Sequence, residues 1–155
     1  MIDLFRWASR RPEARGIKIC VENLHGEKRG ELGCKLQHLR DFFAGVRSSK
    51  VGLNLDFGHG NMAIGNDVLL EEFGERVFYT HFHDNFGKVD QHLPVGYGNI
   101  YWRAIYEKLA ALKFEGPYVI EFPVRYGIEE FLKELRLHML ESSRKIICNR
   151  HRDSL

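Results

Sequence analysis

Hydrophobic positions along the chain fall into two alternating patterns. Four short runs rich in β-branched and aromatic residues, Ile17–Val21, Val51–Leu55, Val77–Thr80 and Tyr118–Ile120, are too short for helices and read as strands. Between and after them apolar residues recur at helical spacing: Leu36, Leu39, Phe43 and Val46; Trp102, Ile105, Leu109 and Leu112; Ile128, Phe131, Leu132, Leu135 and Met139. A shorter helix is expected over Val68–Phe73, with Asn66 or Asp67 as its N-cap. Ile2, Phe5 and Ala8 predict an opening helix that ends near Pro12. The order α-β-α-β-α-β-α-β-α implies an α/β fold with a parallel sheet. Strand starts at 17, 51, 77 and 118 are too unevenly spaced for a solenoid repeat.

Length then limits the architecture. The chain has 155 residues, enough for one domain with a real core. An eight-stranded α/β barrel usually needs about 250 residues, so strands of that type can build only part of one here. The expected organisation is a four-stranded parallel unit over residues 1–140 and a basic, frayed tail over 141–155. That tail carries Arg144, Lys145, Arg150 and Arg152 against Glu141 and Asp153, which accounts for the whole net charge of +2. The body is thus formally neutral and disfavours nucleic acid as a partner. Cys20, Cys34 and Cys148 are an odd count at unrelated spacings, which argues against a disulfide framework and for a reducing compartment. No stretch reaches the ~20 apolar residues of a membrane span, and no signal peptide opens the sequence, so the cytoplasm is the expected location.

Each apolar run ends in a residue able to bind a metal. Glu22 follows Val21, Asp56 follows Leu55, His81 follows Thr80 and Glu121 follows Ile120. In parallel α/β architectures the C-terminal strand ends and the loops after them form the active site. One such residue means little, because a strand-end acid is often a helix cap. Four in succession aim three carboxylates and one imidazole at a common space. That donor set suits Mn²⁺, Mg²⁺ or Co²⁺ and admits Zn²⁺. The flanking loops add His59, His83, Asp84, Asp90 and His92. His59 either touches substrate or metal or caps a turn, and Asp90 and His92 either hold their loop or bind metal. His81 and His83 share a face if their strand continues, so periodicity does not choose between them. Asp84 is a candidate acceptor for an imidazole. Arg125 is a candidate for meeting a phosphate, against the plainer reading of a solvated loop arginine. Trp102 falls in the core stripe of its helix, Cys20 reads as a small buried hydrophobe, and His25 and His38 read as surface residues.

These segments, Val21-Glu22-Asn23, Asp56-Phe57-Gly58-His59, His81-Phe82-His83-Asp84-Asn85, Asp90 to Gly98 and Ile120-Glu121, resemble the xylose isomerase-like TIM barrels. Within that superfamily the sequence is most similar to the sugar-phosphate isomerase/epimerase branch, a relative of endonuclease IV. The resemblance runs from about Ile2 to Leu140 and covers strands five to eight of the barrel with the preceding helix. It implies that Glu22, Asp56, His81 and Glu121 hold one divalent metal. His81 is preferred to His83 because the family's ligand is the histidine three residues before the acid, here Asp84. It further implies that Glu22 and Glu121 exchange protons with a sugar and that His59 contacts it. In endonuclease IV the equivalents of His59, Asp90 and His92 bind further zinc ions, which makes His83, Asp84, Asp90 and His92 candidates for an additional metal or its surroundings.

Three functional classes follow. A metal-dependent sugar or sugar-phosphate isomerase or epimerase, working through an enediolate, is the leading expectation. An abasic-site DNA endonuclease is the second, and a catalytically inactive half-barrel acting in binding or assembly is the third. The open edges of half a barrel also predict a partner: a second copy of the chain or a separate N-terminal half.

Overall fold

In a computed structural model of the chain, residues 1–26 and 31–121 are described, together with Glu129, Leu132 and Arg136. The chain divides into two compact units, Met1–Phe122 and Pro123–Leu155. Arg125 and the tail lie outside the described residues, as does most of the helical stripe expected from Ile128 to Met139. In the second unit, Glu129, Leu132 and Arg136 are helical and exposed.

The first unit alternates helix and strand: α1 (Ile2–Arg10), β1 (Ile19–Glu22), α2 (Leu36–Val46), β2 (Val51–Asp56), α3 (Phe57–Met62), α4 (Asn66–Phe73), β3 (Val77–Phe82), α5 (Trp102–Ala111) and β4 (Tyr118–Ile120). The strands form one sheet in the order β1-β2-β3-β4, and every neighbouring pair is parallel. Among the described residues β1 and β4 are therefore the edge strands.

Alternation along β2 sets the division of labour. Val51, Leu53 and Leu55 are fully buried and join one core with Leu39, Phe42, Phe43 and Val46 of α2, Leu69, Leu70 and Phe73 of α4, and Ile105 and Leu109 of α5. Each such aliphatic side chain contributes about 2 kcal/mol by leaving water. Gly52, Asn54 and Asp56 share the opposite face of the strand. α1 docks on α2 through an edge-on pair of Phe5 and Phe42, with ring centroids 5.0 Å apart. Its other side leaves Leu4 and Trp7 exposed.

Three local expectations are corrected. The segment after Asp56 is not a loop but the short helix α3, because the Asp56 side chain accepts from the His59 backbone N–H at 2.7 Å and caps it. α4 begins at Asn66, and its N-cap is Gly65 in a left-handed conformation (φ 98°) with no side-chain cap. Asn66 instead donates to the Phe57 carbonyl at 2.9 Å, which ties α4 to α3. Cys20 is only half-buried, since its strand stands at the edge of the sheet.

Candidate metal centre

Parallel pairing brings the strand ends to one level. Glu22 ends β1 opposite Asn54, and Asp56 ends β2 opposite His81 of β3. Glu121 directly follows β4, its backbone N–H bonded to the Phe82 carbonyl at 3.1 Å. One donor atom from each of Glu22, Asp56, His81 and Glu121 lies within 4.8 Å of the other three. His81 Nδ1 is the hub, 2.9 Å from Glu121 Oε2, 3.6 Å from Asp56 Oδ2 and 3.7 Å from Glu22 Oε1. The end of β1 is held to β2 by Asn23, whose buried amide both donates to the Asp56 carbonyl and accepts its N–H at 2.9 Å.

The electrostatics follow from this crowding. Burial works against the charge on Glu22, but hydrogen bonds from His59 and His81 outweigh it and hold the carboxyl at about 2. Burial likewise opposes ionisation of Asp56, and His81 and His83 overcome it, so this carboxyl stays well below the usual carboxylate range. Hydrogen bonding to Asp56 and Glu22 raises His81 to about 10. His59 is pushed down by burial yet rises to about 9 through Glu22, Asp56 and Asp90. The protonated imidazoles of His59 and His81 thus offset part of the carboxylate charge.

A second group lies beside the first. Donor atoms of His59, His83, Asp90 and His92 also fall within 4.8 Å of one another. An antiparallel bridge between Asp84 and Leu93, with reciprocal N–H···O bonds of 2.8 Å, folds the intervening loop back and delivers Asp90 and His92. His92 takes up left-handed backbone (φ 45°), stacks on His83 at 3.9 Å and bonds to the Glu121 carbonyl. His83 Nδ1 and Asp90 Oδ1, 3.8 Å apart, are buried with no hydrogen-bond partner among the described residues. Unmatched donors and acceptors of this kind are costly unless something bridges them.

Asp84 belongs to neither group. Its buried carboxylate accepts from the backbone N–H groups of Asn85, Gly96 and Ile100 and from the Trp102 indole at 2.7 Å. It thus pins the glycine-rich loop to α5 instead of orienting an imidazole. Trp102 is a core residue, as its stripe implied, and its indole N–H finds this acceptor. His25, read as a surface residue, packs on the ring of His59 at 4.8 Å. Asn54 was missed: it is buried beneath the first group, and its only sequence signal is a polar residue inside an apolar strand.

Hard carboxylate oxygens with one imidazole are a donor set for Mn²⁺, Mg²⁺, Co²⁺ or Zn²⁺. Ligands at about 2.0–2.2 Å from one ion stand roughly 3–4.4 Å apart, and the separations of 2.9, 3.6 and 3.7 Å from His81 Nδ1 are of that order. Glu121 Oε2 is buried and makes no hydrogen bond among the described residues despite its closeness to His81, which leaves an acceptor at the centre.

Comparison with known proteins agrees with this architecture. An uncharacterised protein of Methanocaldococcus jannaschii is 36% identical over 113 residues, covering 70% of this chain and 38% of that protein. The crystal structure of a D-tagatose 3-epimerase-like protein superposes with a TM-score of 0.74 at 27% identity, over 94% of this chain and 55% of that one. A family 2 AP endonuclease from Brucella melitensis shares the fold with a TM-score of 0.69 at 18% identity, over 83% of this chain and 49% of that one. The chain therefore spans 38% of the curated relative and about half of each structure. The four parallel strands among the described residues are half the number in an eight-stranded ring. The xylose isomerase-like TIM barrel family model matches residues 1–142, and with the half-barrel sheet and its strand-end acids this chain belongs to that family.

Proposed function

We propose that this half-barrel carries the metal centre of a sugar or sugar-phosphate isomerase or epimerase. The observation that carries the reading is the convergence of Glu22, Asp56, His81 and Glu121 within 4.8 Å. Those four residues would hold one divalent ion, which when bound supplies Lewis-acid polarisation of a substrate carbonyl. The protein's own share is proton transfer. Glu22 ends β1 and Glu121 follows β4, the two edge strands among the described residues, and their side chains are 30% and 43% exposed, against 0% for Asp56. They can reach a ligand that Asp56 cannot. Glu22 is ionised at neutral pH, the form that takes a proton from a carbon beside a carbonyl. Glu121 flanks the same space and would return a proton to the neighbouring carbon or the opposite face. His59, bonded to the Asn23 carbonyl at 3.0 Å and 3.3 Å from Glu22, would contact a substrate hydroxyl.

The test is exchange of solvent deuterium into ketoses, aldoses and their phosphates with Mn²⁺, Mg²⁺, Co²⁺ or Zn²⁺ added. Exchange that needs metal and disappears in Glu22→Gln and Glu121→Gln supports the reading. Absence of exchange under all these conditions, with metal bound, overturns it, and silence in incision of abasic duplex DNA as well favours a binding or assembly role.

The group of His59, His83, Asp90 and His92 favours one second reading, an abasic-site endonuclease with more than one ion. Incision of abasic duplex DNA without sugar exchange would select it.

The rest of the ring completes either site. A second four-stranded half, from another copy of the chain or from an N-terminal half, would pair with β1 and cover Leu4 and Trp7 of α1. Light scattering on the purified chain, alone and mixed with such a half, reads this out. Among the described residues no helix is long and apolar enough to cross a membrane, and the free thiols of Cys20 and Cys34 accord with the cytoplasm.

A further inference from the structure

Asn54 lies one layer below the strand-end acids, two residues before Asp56 and on the same face of β2. Only 8% of it is exposed, and its strand neighbours Leu53 and Leu55 are fully buried. A polar side chain in that position needs partners on both ends of its amide. The nitrogen has them: Nδ2 donates to Glu22 Oε2 at 3.3 Å and lies 3.4 and 3.2 Å from the two ring nitrogens of His81. The oxygen does not, since Oδ1 is buried with no hydrogen-bond partner among the described residues. Turning the amide over would set Oδ1 against the Glu22 carboxylate, so the contact with Glu22 sets the orientation.

The backbone is arranged for this aim. Glu22 and Asn54 are direct cross-strand partners between β1 and β2. On the other side the register slips at Leu53/Asn54, so that their partners in β3 are Val77 and Tyr79. Irregularities of this kind redirect a side chain next to functional sites. Core packing alone would be served as well by leucine, which is nearly the same size and leaves nothing unsatisfied.

Building on the metal-centre reading above, we propose that Asn54 is a positioning residue for the centre. Its amide nitrogen steadies the Glu22 carboxylate from below, with the amide set against the His81 ring, and its carbonyl oxygen is left as a buried acceptor beneath the centre. A residue that acts through ligands in this way typically changes metal affinity by about 10- to 100-fold.

The test uses the purified chain with Asn54→Leu, and Asn54→Ala as a second variant should leucine fail to fold. Two readouts separate positioning from packing: Co²⁺ affinity with its visible absorption spectrum, and the ring-nitrogen resonances of His81 in the metal-free protein. The expected result is circular dichroism like the parent's, a Co²⁺ affinity lower by about 10- to 100-fold with altered bands, and displaced His81 resonances. Parent-like affinity, spectrum and resonances would overturn the proposal. A parent that takes up no Co²⁺ would overturn the metal-centre reading, and the metal-free His81 resonances would then decide Asn54 alone. Displacement keeps its hold on His81, and no displacement removes it.

Discussion

Asp56 and His83 are both fully buried, and His83 Nε2 lies 3.0 Å from Asp56 Oδ1. Oδ2 of the same carboxylate lies 3.6 Å from His81 Nδ1. One side chain therefore joins the group at the strand ends to the group in the following loops. It also caps α3, so three structural duties converge on it.

Asp56→Ala should accordingly be the most damaging single change at the centre. It strands the His83 ring without its acceptor and removes the cap from α3. A loss of about 3–5 kcal/mol is expected from the broken buried pair, with about 1 kcal/mol more from the cap. Urea unfolding measures the loss, and elemental analysis after dialysis should find metal content reduced in the variant. Metal content equal to the parent's would remove Asp56 from the centre.

Stability without metal should fall as the solution becomes alkaline. His59 and His81 stand at about 9 and 10 in the folded chain, above the ordinary 6.5. Their protonated forms are therefore favoured by folding. The stabilisation is complete below pH 6.5 and is lost as pH rises through 9 to 10. Glu22, lowered from 4.5 to about 2, stabilises above pH 4.5 and loses this as pH falls through 2. Thermal melts of chelator-treated protein from pH 6 to 10 should show a declining midpoint, and His81→Gln should flatten the slope.

Metal uptake should run the other way. Imidazole must lose its proton to become a ligand, so binding releases protons and strengthens as pH rises over the same interval. Calorimetry in two buffers of different ionisation enthalpy would count the protons. At a free ion concentration 100 times its Kd, the ion should add about 2.7 kcal/mol to folding stability, which a chelator removes. Zero proton release at neutral pH would contradict the charged state assigned to His81.

Gly58→Ala should separate the two groups of residues. A methyl built on Gly58 would collide with Cε1 of His83, and the His83 ring is fully buried. The expected cost is about 1–3 kcal/mol of overpacking, with His83 displaced and the first group left intact. Co²⁺ titration should then lose any uptake that depends on His83, Asp90 and His92 while retaining the uptake blocked by Glu121→Gln. Titrations identical to the parent's would deny His83 a part in metal binding.

Asp84→Asn tests the loop. The carboxylate serves four donors, three of them backbone N–H groups, and an amide presents only one acceptor oxygen to them. A loss of about 2–3 kcal/mol is expected, with faster hydrogen exchange at Gly96 and Ile100. Unchanged exchange at both positions would refute the pinning role.

The sequence by itself determined the alternation of strand and helix, the parallel sheet and the four strand-end residues Glu22, Asp56, His81 and Glu121. Those features are written in periods of two and of about 3.6, which a short stretch of chain carries without help from the rest. The tertiary structure decided everything that depends on contacts between distant positions. His81 and His83 share a strand face by periodicity, yet β3 ends at Phe82, and the two rings enter different groups. Asp84 looked like a partner for histidine, but the loop that closes through Leu93 surrounds it with N–H donors. His25 meets His59 only because their two loops fold over the same strand ends. Asn54 was legible only as an oddity in an apolar run, since its partners Glu22 and His81 stand 32 and 27 residues away. Sequence pattern sets which face a side chain takes, and packing across strands sets which atom it meets, because hydrogen bonding and metal ligation are decided within a few ångströms.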